Sequence, residues 1–372
     1  MGYTGSAVLP LHGGKAPRWL FIRMVQLAEC IVDIMIDEYG RRGLLERLSD
    51  PWFFQSLSCV LGYDWHSSGT TTVTCGALKE AMDRENMGVT VCGGKGRTSL
   101  RTPQEIREMG QVFGLNGWKV DSLVYASRMA AKVDNSLVQD GYQLYHHCLM
   151  FTEDGDWIVV QQGINEEQAN ARRYHWGLDQ RSFIVEPQGA ILCETRLDKA
   201  LNMTSKESTE NQRTCVDIVR ENPNKLRRTL VKPLPEGQSR LDGWTGHKSL
   251  VMPRSVNWDA VRAAYNFQPR SYEELVSMRG VGPGTVRGLA LVAELVYGDS
   301  ASWRDPVRFN FAFGGKDGVP FPVERRAMDD AVQVLRQGIK ASRMGREEEL
   351  RAFRRLRRCV PPSDPVALKT VL

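Results

Sequence analysis

The fold class is decided by residues 142–162, which read YQLYHHCLMFTEDGDWIVVQQ. Both halves of this stretch are rich in β-branched and aromatic residues. The Asp154-Gly155 pair between them is typical of a tight turn between two paired strands. The pattern predicts a β-hairpin with strands at Tyr142–Phe151 and Trp157–Gln162.

Helical periodicity flanks this hairpin. Apolar residues recur at helical spacing from Leu20 to Met35, and Gly40 can end that helix with a positive φ. Further on, Thr102-Pro103-Gln104-Glu105 combines a capping box with proline at the first helical position. We therefore expect an α+β (or α/β) catalytic domain over residues 1–235.

A second motif follows a polar, proline-rich stretch that is typical of an inter-domain connection. Residues 271–285 read SYEELVSMRGVGPGT. Gly280 and Gly282 allow a turn that larger side chains would block, and Val281 can anchor it in a core. The pattern resembles a helix-hairpin-helix motif. It predicts an all-α DNA-binding domain over residues 236–342, followed by an Arg-rich helix and tail over residues 343–372.

The expected partner of this motif is DNA, bound through its phosphates and mostly without sequence specificity. The predicted phosphate-binding residues are Gly280, Val281, Gly282, Gly284, Thr285, Arg279, Arg287 and Lys95. Lys95 lies in a Gly-rich turn that can cradle phosphate but lacks the spacing of a nucleotide-binding P-loop, so no nucleotide or organic cofactor is indicated. For the Gly280–Gly282 turn, the alternative is a hairpin that only packs against the core. For the Gly-rich turn around Lys95, the alternative is a plain surface turn.

The composition limits the function classes. With 42% apolar residues the chain can bury a core, and a net charge of +5 permits a polyanionic partner without requiring one. Charged residues interrupt the apolar stretch from Trp19 to Tyr39, so we expect no membrane span, and no secretory signal is evident. The eight cysteines form no Cys-x-x-Cys pair, which argues against a close-pair zinc site or a secreted disulfide scaffold. A cytoplasmic, nucleoid-associated location is expected.

Ionisable side chains gather in the first 235 residues more densely than a core requires. The candidate catalytic residues are Asp64, His66, Lys132, Asp134, His147, Arg172 and His175. In one hypothesis, Asp64, His66 and Asp134 hold Mg²⁺ or Mn²⁺ for phosphodiester hydrolysis, and Lys132 offsets the charge of the transition state.

An equal rival is a metal-free site. It uses a histidine as the general base and Arg172 and Arg173 as phosphate clamps. Arg128, Lys132 and Asn135 also share one helical face, which a solvated surface explains as well as a site does.

Several short motifs together resemble one known family. They are DWHSSG at 64–69, GGKG at 93–96, AKVDN at 131–135, QQG at 161–163 and ARRYHW at 171–176. The chain is similar over residues 12 to about 323 to the largely archaeal family catalogued as domain of unknown function 763. The resemblance implies an archaeal, cytosolic setting and supplies no activity.

The leading hypothesis is a DNA-processing or DNA-repair protein that hydrolyses phosphodiester bonds, as a nuclease does. One alternative is a non-catalytic DNA-binding adaptor that works with DNA repair proteins. Another is a helix-hairpin-helix DNA glycosylase. Bifunctional members of that class carry a lysine where this chain has Gly284, and Asp299 and Asp305 bracket the position of their aspartate without its sequence context.

Overall fold

A computed structural model describes residues 18–61, 69–85, 87–168, 170–193, 196–224, 227 and 256–307, with positions 333, 335, 337–340, 350 and 352. The helices are α1 (Arg18–Ser49), α2 (Pro51–Leu61), α3 (Gly69–Glu85), α4 (Thr102–Val112), α5 (Gly117–Ser136), α6 (Thr209–Arg220), α7 (Trp258–Phe267), α8 (Tyr272–Ser277) and α9 (Pro283–Val292). The strands are β1 (Val89–Lys95), β2 (Val138–Gln139), β3 (Gln143–Thr152), β4 (Trp157–Asn165), β5 (Asn170–Trp176), β6 (Ala190–Leu192) and β7 (Leu201–Asn202). The protein is therefore a mixed α and β fold.

The hairpin predicted from residues 142–162 is confirmed as β3 and β4. Phe151 pairs with Trp157 at its closed end, where Gly155 has a φ of 83°. The hairpin lies inside a five-stranded antiparallel sheet of order β1-β3-β4-β5-β6, while β2 and β7 form a separate pair. The short segment thus forms the middle of the main sheet.

Helices cover both faces of that sheet. Cys148 and Met150 of β3 pack into an apolar cluster with α1, α2 and α3. Leu149 and Phe151 point the other way, into a cluster with α4, α5, α6 and the helices from α7 onward. Because successive strand residues point to opposite faces, each face of the hairpin is covered by a different layer of helices.

Two predictions about helix ends need correction. Gly40 does interrupt α1, with φ 72° and ψ 171°, but the helical run resumes at once and continues to Ser49. Glu105 does not complete a capping box at the start of α4. Its carboxylate instead accepts hydrogen bonds from the Gly93 amide (2.8 Å) and the Lys79 ammonium (2.5 Å), because an amide and a cation from packed neighbours are stronger partners.

Two short helices, α8 and α9, flank the glycine turn. The Ser271 hydroxyl caps α8 by accepting from the Glu274 amide (3.1 Å), and Gly280 has a φ of 85°. Val281 between the glycines is buried in the same apolar cluster as α5 and α6. Beyond α9 a π-helical turn, Ala293–Tyr297, ends at Gly298, whose φ is 86°.

Some expectations concern residues outside this description. The expected domain boundary at residues 235 and 236 lies outside the described residues, as does the Arg-rich segment from 343 onward except for positions 350 and 352. In the part of the chain that is described, no helix is both long and apolar enough to span a bilayer.

Candidate functional site

A cavity of about 580 Å³ opens where the turn between α8 and α9 approaches α5 and β3. One wall is the face of α5 that carries Ser127, Arg128, Lys132 and Asn135. Successive members of this set are one, four and three residues apart, so they fall on one side of the helix. The cavity-lining residues of the described chain include no aspartate or glutamate. The charged side chains among these lining residues are the cations Arg128 and Lys132.

The two cations on this wall differ in their surroundings. The Arg128 side chain is exposed. The Lys132 ammonium is half-buried and donates a hydrogen bond to the Met278 carbonyl at the carboxyl end of α8. Burial lowers the pKa of Lys132 to about 8. Lys132 thus joins α5 to the glycine turn and carries a charge that titrates near neutral pH.

The second wall is the turn itself, contributed by residues 280–283. A Cβ atom on Gly280 would lie 2.9 Å from the Asn257 side-chain nitrogen, and the positive φ there also favours glycine. Gly282 has ordinary extended backbone and open space around it. Gly284 and Thr285 follow in the first turn of α9, where no preceding turn supplies a carbonyl acceptor for their amides.

The other predicted phosphate-binding residues lie at different distances from this cavity. Arg279 is exposed beside the turn, and Lys95 lies at the rim, with its ammonium 5.8 Å from the centre of the Tyr145 ring that lines the cavity. Arg287 instead points away, and its guanidinium lies 5.3 Å from the centre of the Trp303 ring. The Thr285 hydroxyl accepts from the Asn257 amide (3.0 Å).

At the inner end of the cavity, a serine and a histidine from different elements meet. The Ser127 hydroxyl of α5 lies 2.8 Å from Nε2 of His147 on β3, and both residues line the cavity. The other ring nitrogen, Nδ1, lies 2.8 Å from the side-chain oxygen of Gln161 on β4. The Gln161 amide nitrogen donates to a carboxylate oxygen of Asp134 (2.5 Å). Four polar side chains thus form one chain from the cavity into the core.

This chain determines the proton positions on His147. The Gln161 side-chain nitrogen faces Asp134 and its oxygen faces the imidazole, and an amide oxygen only accepts hydrogen bonds. Nδ1 must therefore carry the proton, which leaves Nε2 as an acceptor for the Ser127 hydroxyl. Burial lowers the pKa of His147 to about 4, so the ring is neutral at pH 7. A neutral imidazole in this position can act as a general base and remove the proton of the Ser127 hydroxyl.

Asp134 serves this network and does not face the cavity. It is fully buried, and its two oxygens also accept from the Trp176 indole (2.8 Å) and the Gln188 amide (2.5 Å). Burial raises its pKa to about 7. Three donors occupy the carboxylate, which argues against its predicted role as a metal ligand. The other two expected ligands of Mg²⁺ or Mn²⁺, Asp64 and His66, lie outside the described residues.

The arginine and histidine of β5 lie in the core. Arg172 is 0% exposed and forms ion pairs with Asp140 (2.6 Å) and Asp305 (2.8 Å). Arg173 donates to the side chain of Gln55 (2.9 Å). His175 is buried edge-on against Phe54, and burial lowers its pKa. The expected phosphate clamp of Arg172 and Arg173 and the catalytic role of His175 do not fit these positions, because a strand buried on both faces offers them no ligand.

One buried cluster combines potential metal ligands. Donor atoms of Cys75, His146 and Cys148 lie within 4.8 Å of one another. A hydrogen bond with Cys75, together with burial, raises the pKa of the Cys148 thiol, so the sulfur stays protonated. The buried guanidinium of Arg173 adds positive charge beside Cys75. The environment therefore disfavours a cation, although soft metals prefer such ligands.

Sequence reasoning missed Ser127 and the role of Gln161. Ser127 lies on the helical face already noted for Arg128 and Lys132, so its spacing was a usable signal. A serine inside a helix is ordinarily a neutral residue, however, and only the packing of α5 on β3 makes it a partner of His147.

Helices on both faces of an antiparallel sheet, with a cation-lined cavity beside a glycine turn, define the structural class of this protein. The family model described as "Protein of unknown function (DUF763)" matches residues 5–323. The chain belongs to this family, as its motifs predicted. Comparisons with curated proteins and with solved structures give no significant match.

Proposed function

We propose that the protein binds DNA at this cavity and processes it by hydrolysing a phosphodiester bond. The observation that carries the proposal is the convergence of the glycine turn, Arg128 and Lys132 on one cavity without a carboxylate in its described lining. Cations and amides at a helix start are the groups that bind phosphate in proteins. The turn between α8 and α9 would act as a helix-hairpin-helix element.

Three further features support a phosphate ligand. Lys95 and Arg279 add two further cations beside the cavity and the glycine turn. The volume of about 580 Å³ lies in the range of ligand pockets, roughly 300–1,000 Å³. His147 provides an imidazole that is neutral at pH 7, as a general base must be. In this cavity Arg128 and Lys132 would offset the charge of the phosphate. A metal-dependent version would depend on Asp64 and His66.

A non-catalytic DNA-binding adaptor of a repair complex is the second candidate. One observation favours it: Lys132 and His147 are both hydrogen-bonded to groups of the protein itself, the Met278 carbonyl and the Ser127 hydroxyl. It shares the DNA-binding surface and differs only in turnover. The glycosylase alternative gains no support, because Asp299 accepts from Thr214 and Asp305 pairs with Arg172.

Gly282 offers a clean test of DNA binding. Its backbone suits any residue, and a Cβ there meets nothing within 4 Å. We expect Gly282→Glu to weaken binding to fluorescent single-stranded, duplex, flap and mismatched DNA at least tenfold, measured by anisotropy at low salt. Gly282→Lys, of similar size and opposite charge, should bind as well as the parent or better. Equal affinities for both variants would remove the DNA-binding proposal.

Cleavage is tested on the same four DNA substrates, with Mg²⁺, with Mn²⁺ and with a chelator. Products in any arm support hydrolysis, and the chelator arm separates the metal-free route from the metal-dependent one. Binding without cleavage in every arm would favour the adaptor.

A further inference from the structure

We propose that Ser127 is a nucleophile that His147 activates for attack on a phosphoryl group in the cavity. The inference rests on the proposed function for the identity of its natural substrate, a DNA phosphodiester. Its structural basis is separate: the Ser127 hydroxyl and Nε2 of His147 are 2.8 Å apart on the cavity wall.

The arrangement contains the three parts that hydroxyl activation requires. A nucleophile lies within hydrogen-bond distance of a base, and a third group orients the base. Here Gln161 is the orienting group, and Asp134 in turn orients Gln161. The Trp176 and Gln188 donors hold Asp134 in place from the core side. The imidazole is thus fixed in the one tautomer that can accept the proton of Ser127.

Another serine on the same helix shows what is special about this position. Ser136 is also buried in α5 and also lines the cavity. The two ring nitrogens of His147 are taken by Ser127 and Gln161, so Ser136 does not share this base. The two serines therefore differ in activation while sharing a helix, a cavity and a degree of burial.

The reaction balances without a further oxidant or reductant. Oγ of Ser127 forms a bond to phosphorus as the bond from phosphorus to the leaving deoxyribose oxygen breaks. The serine proton passes to Nε2 of His147, and the imidazolium gives it to the leaving oxygen. A water molecule then attacks the serine-linked phosphodiester, with His147 accepting its proton and returning it to Oγ. Arg128 and Lys132 offset the negative charge around phosphorus.

The test uses the full-length protein and diisopropyl fluorophosphate, a small phosphoryl fluoride that reacts with activated serines. Attack on this probe forms the same Oγ–P bond, with fluoride as the leaving group. Intact mass and peptide mapping then report how much probe is attached and where. The variants are Ser127→Ala, the matched control Ser136→Ala, and His147→Gln, each checked for cooperative thermal unfolding.

We expect one adduct on Ser127 in the parent and in Ser136→Ala, and none on this peptide in Ser127→Ala. Labelling of His147→Gln should be at least about 100-fold slower, the usual contribution of a general base. A folded parent protein that stays unlabelled would overturn the inference. Equal labelling rates in the parent and in folded His147→Gln would overturn it too.

DNA anisotropy on the same samples judges the proposed function independently. Binding without labelling leaves DNA recognition standing and makes the serine–histidine pair structural. Labelling of Ser127 without DNA binding supports the nucleophile and transfers it to another phosphoester substrate.

Discussion

The cavity wall on α5 and the buried strand β5 use similar residues for opposite purposes. Arg172 on β5 is 0% exposed and neutralised by two carboxylates, whereas Arg128 on α5 is exposed at a cavity without a carboxylate in its described lining. His175 is packed against an aromatic ring, whereas His147 connects the cavity to a polar network. A cation or imidazole is available for chemistry only where the fold places it, or the group hydrogen-bonded to it, at a cavity.

The largest expected effect comes from removing the buried cation of β5. Arg172→Met should lose about 3–5 kcal/mol of the free energy of unfolding, because Asp140 and Asp305 would remain as buried charges without their cation. Arg128→Met is the matched control at an exposed site and should change stability by less than about 0.5 kcal/mol. Urea unfolding measures both. A loss of similar size in the two variants would contradict the contrast.

The next effect concerns pH and His147. Its pKa is lowered to about 4 in the folded protein from the usual 6.5, so the unfolded chain binds more protons between these values. The stability of the parent relative to His147→Gln should therefore fall by up to about 3 kcal/mol as the pH drops from 7 to 4. Denaturant unfolding of both proteins at several pH values measures this difference.

Asp134 also titrates in this pH range, so the stability of the parent is compared with that of His147→Gln at each pH. Its pKa is raised to about 7, so protonation on acidification stabilises the fold and opposes the effect of His147. His146 is a further titratable neighbour of the ring. Both groups are present in the parent and in the variant. A stability difference that stays constant from pH 7 to pH 4 would show that His147 is not buried as a neutral ring.

A smaller effect distinguishes Lys132 from Arg128 on the cavity wall. Because its pKa is lowered to about 8, Lys132 loses its charge as the pH rises from 7 to 9. DNA affinity of the parent should then fall about two- to fivefold, the size expected for one partly screened charge. Lys132→Arg stays charged and should lose most of this pH dependence. Anisotropy at fixed ionic strength checks it, and an unchanged pH dependence in Lys132→Arg would exclude Lys132 as its source.

Local signals predicted the central hairpin, the two helices around the glycine turn and the polar face of α5. These features depend on neighbours within a few positions, such as Asp154-Gly155 at the turn or the spacing of Arg128 and Lys132. The capping box at Glu105 failed for the opposite reason, since Lys79 and Gly93, distant in sequence, are better partners for its carboxylate.

For the candidate site, proximity in sequence was a poor guide to accessibility. The sequence offered Arg172 and His147 alike as candidate catalytic residues, because both are polar residues in the segment where ionisable side chains gather. Their different surroundings come from partners that are distant in sequence. Asp305 lies 133 residues after Arg172, and Ser127 lies 20 residues before His147. A single sequence does not show which of these partners the packing will bring together.

The sequence alone predicted the central β-hairpin, the two helices around the glycine turn and the family. Hydrogen-bond geometry and hydrophobic periodicity act over short stretches, so they can be read along the chain. Packing in three dimensions makes Arg172 part of an internal ion pair and brings Ser127, His147 and the Gly280–Gly282 turn to one cavity. The physical reason is that burial and charge pairing are properties of three-dimensional surroundings, which here join residues separated by more than 100 positions.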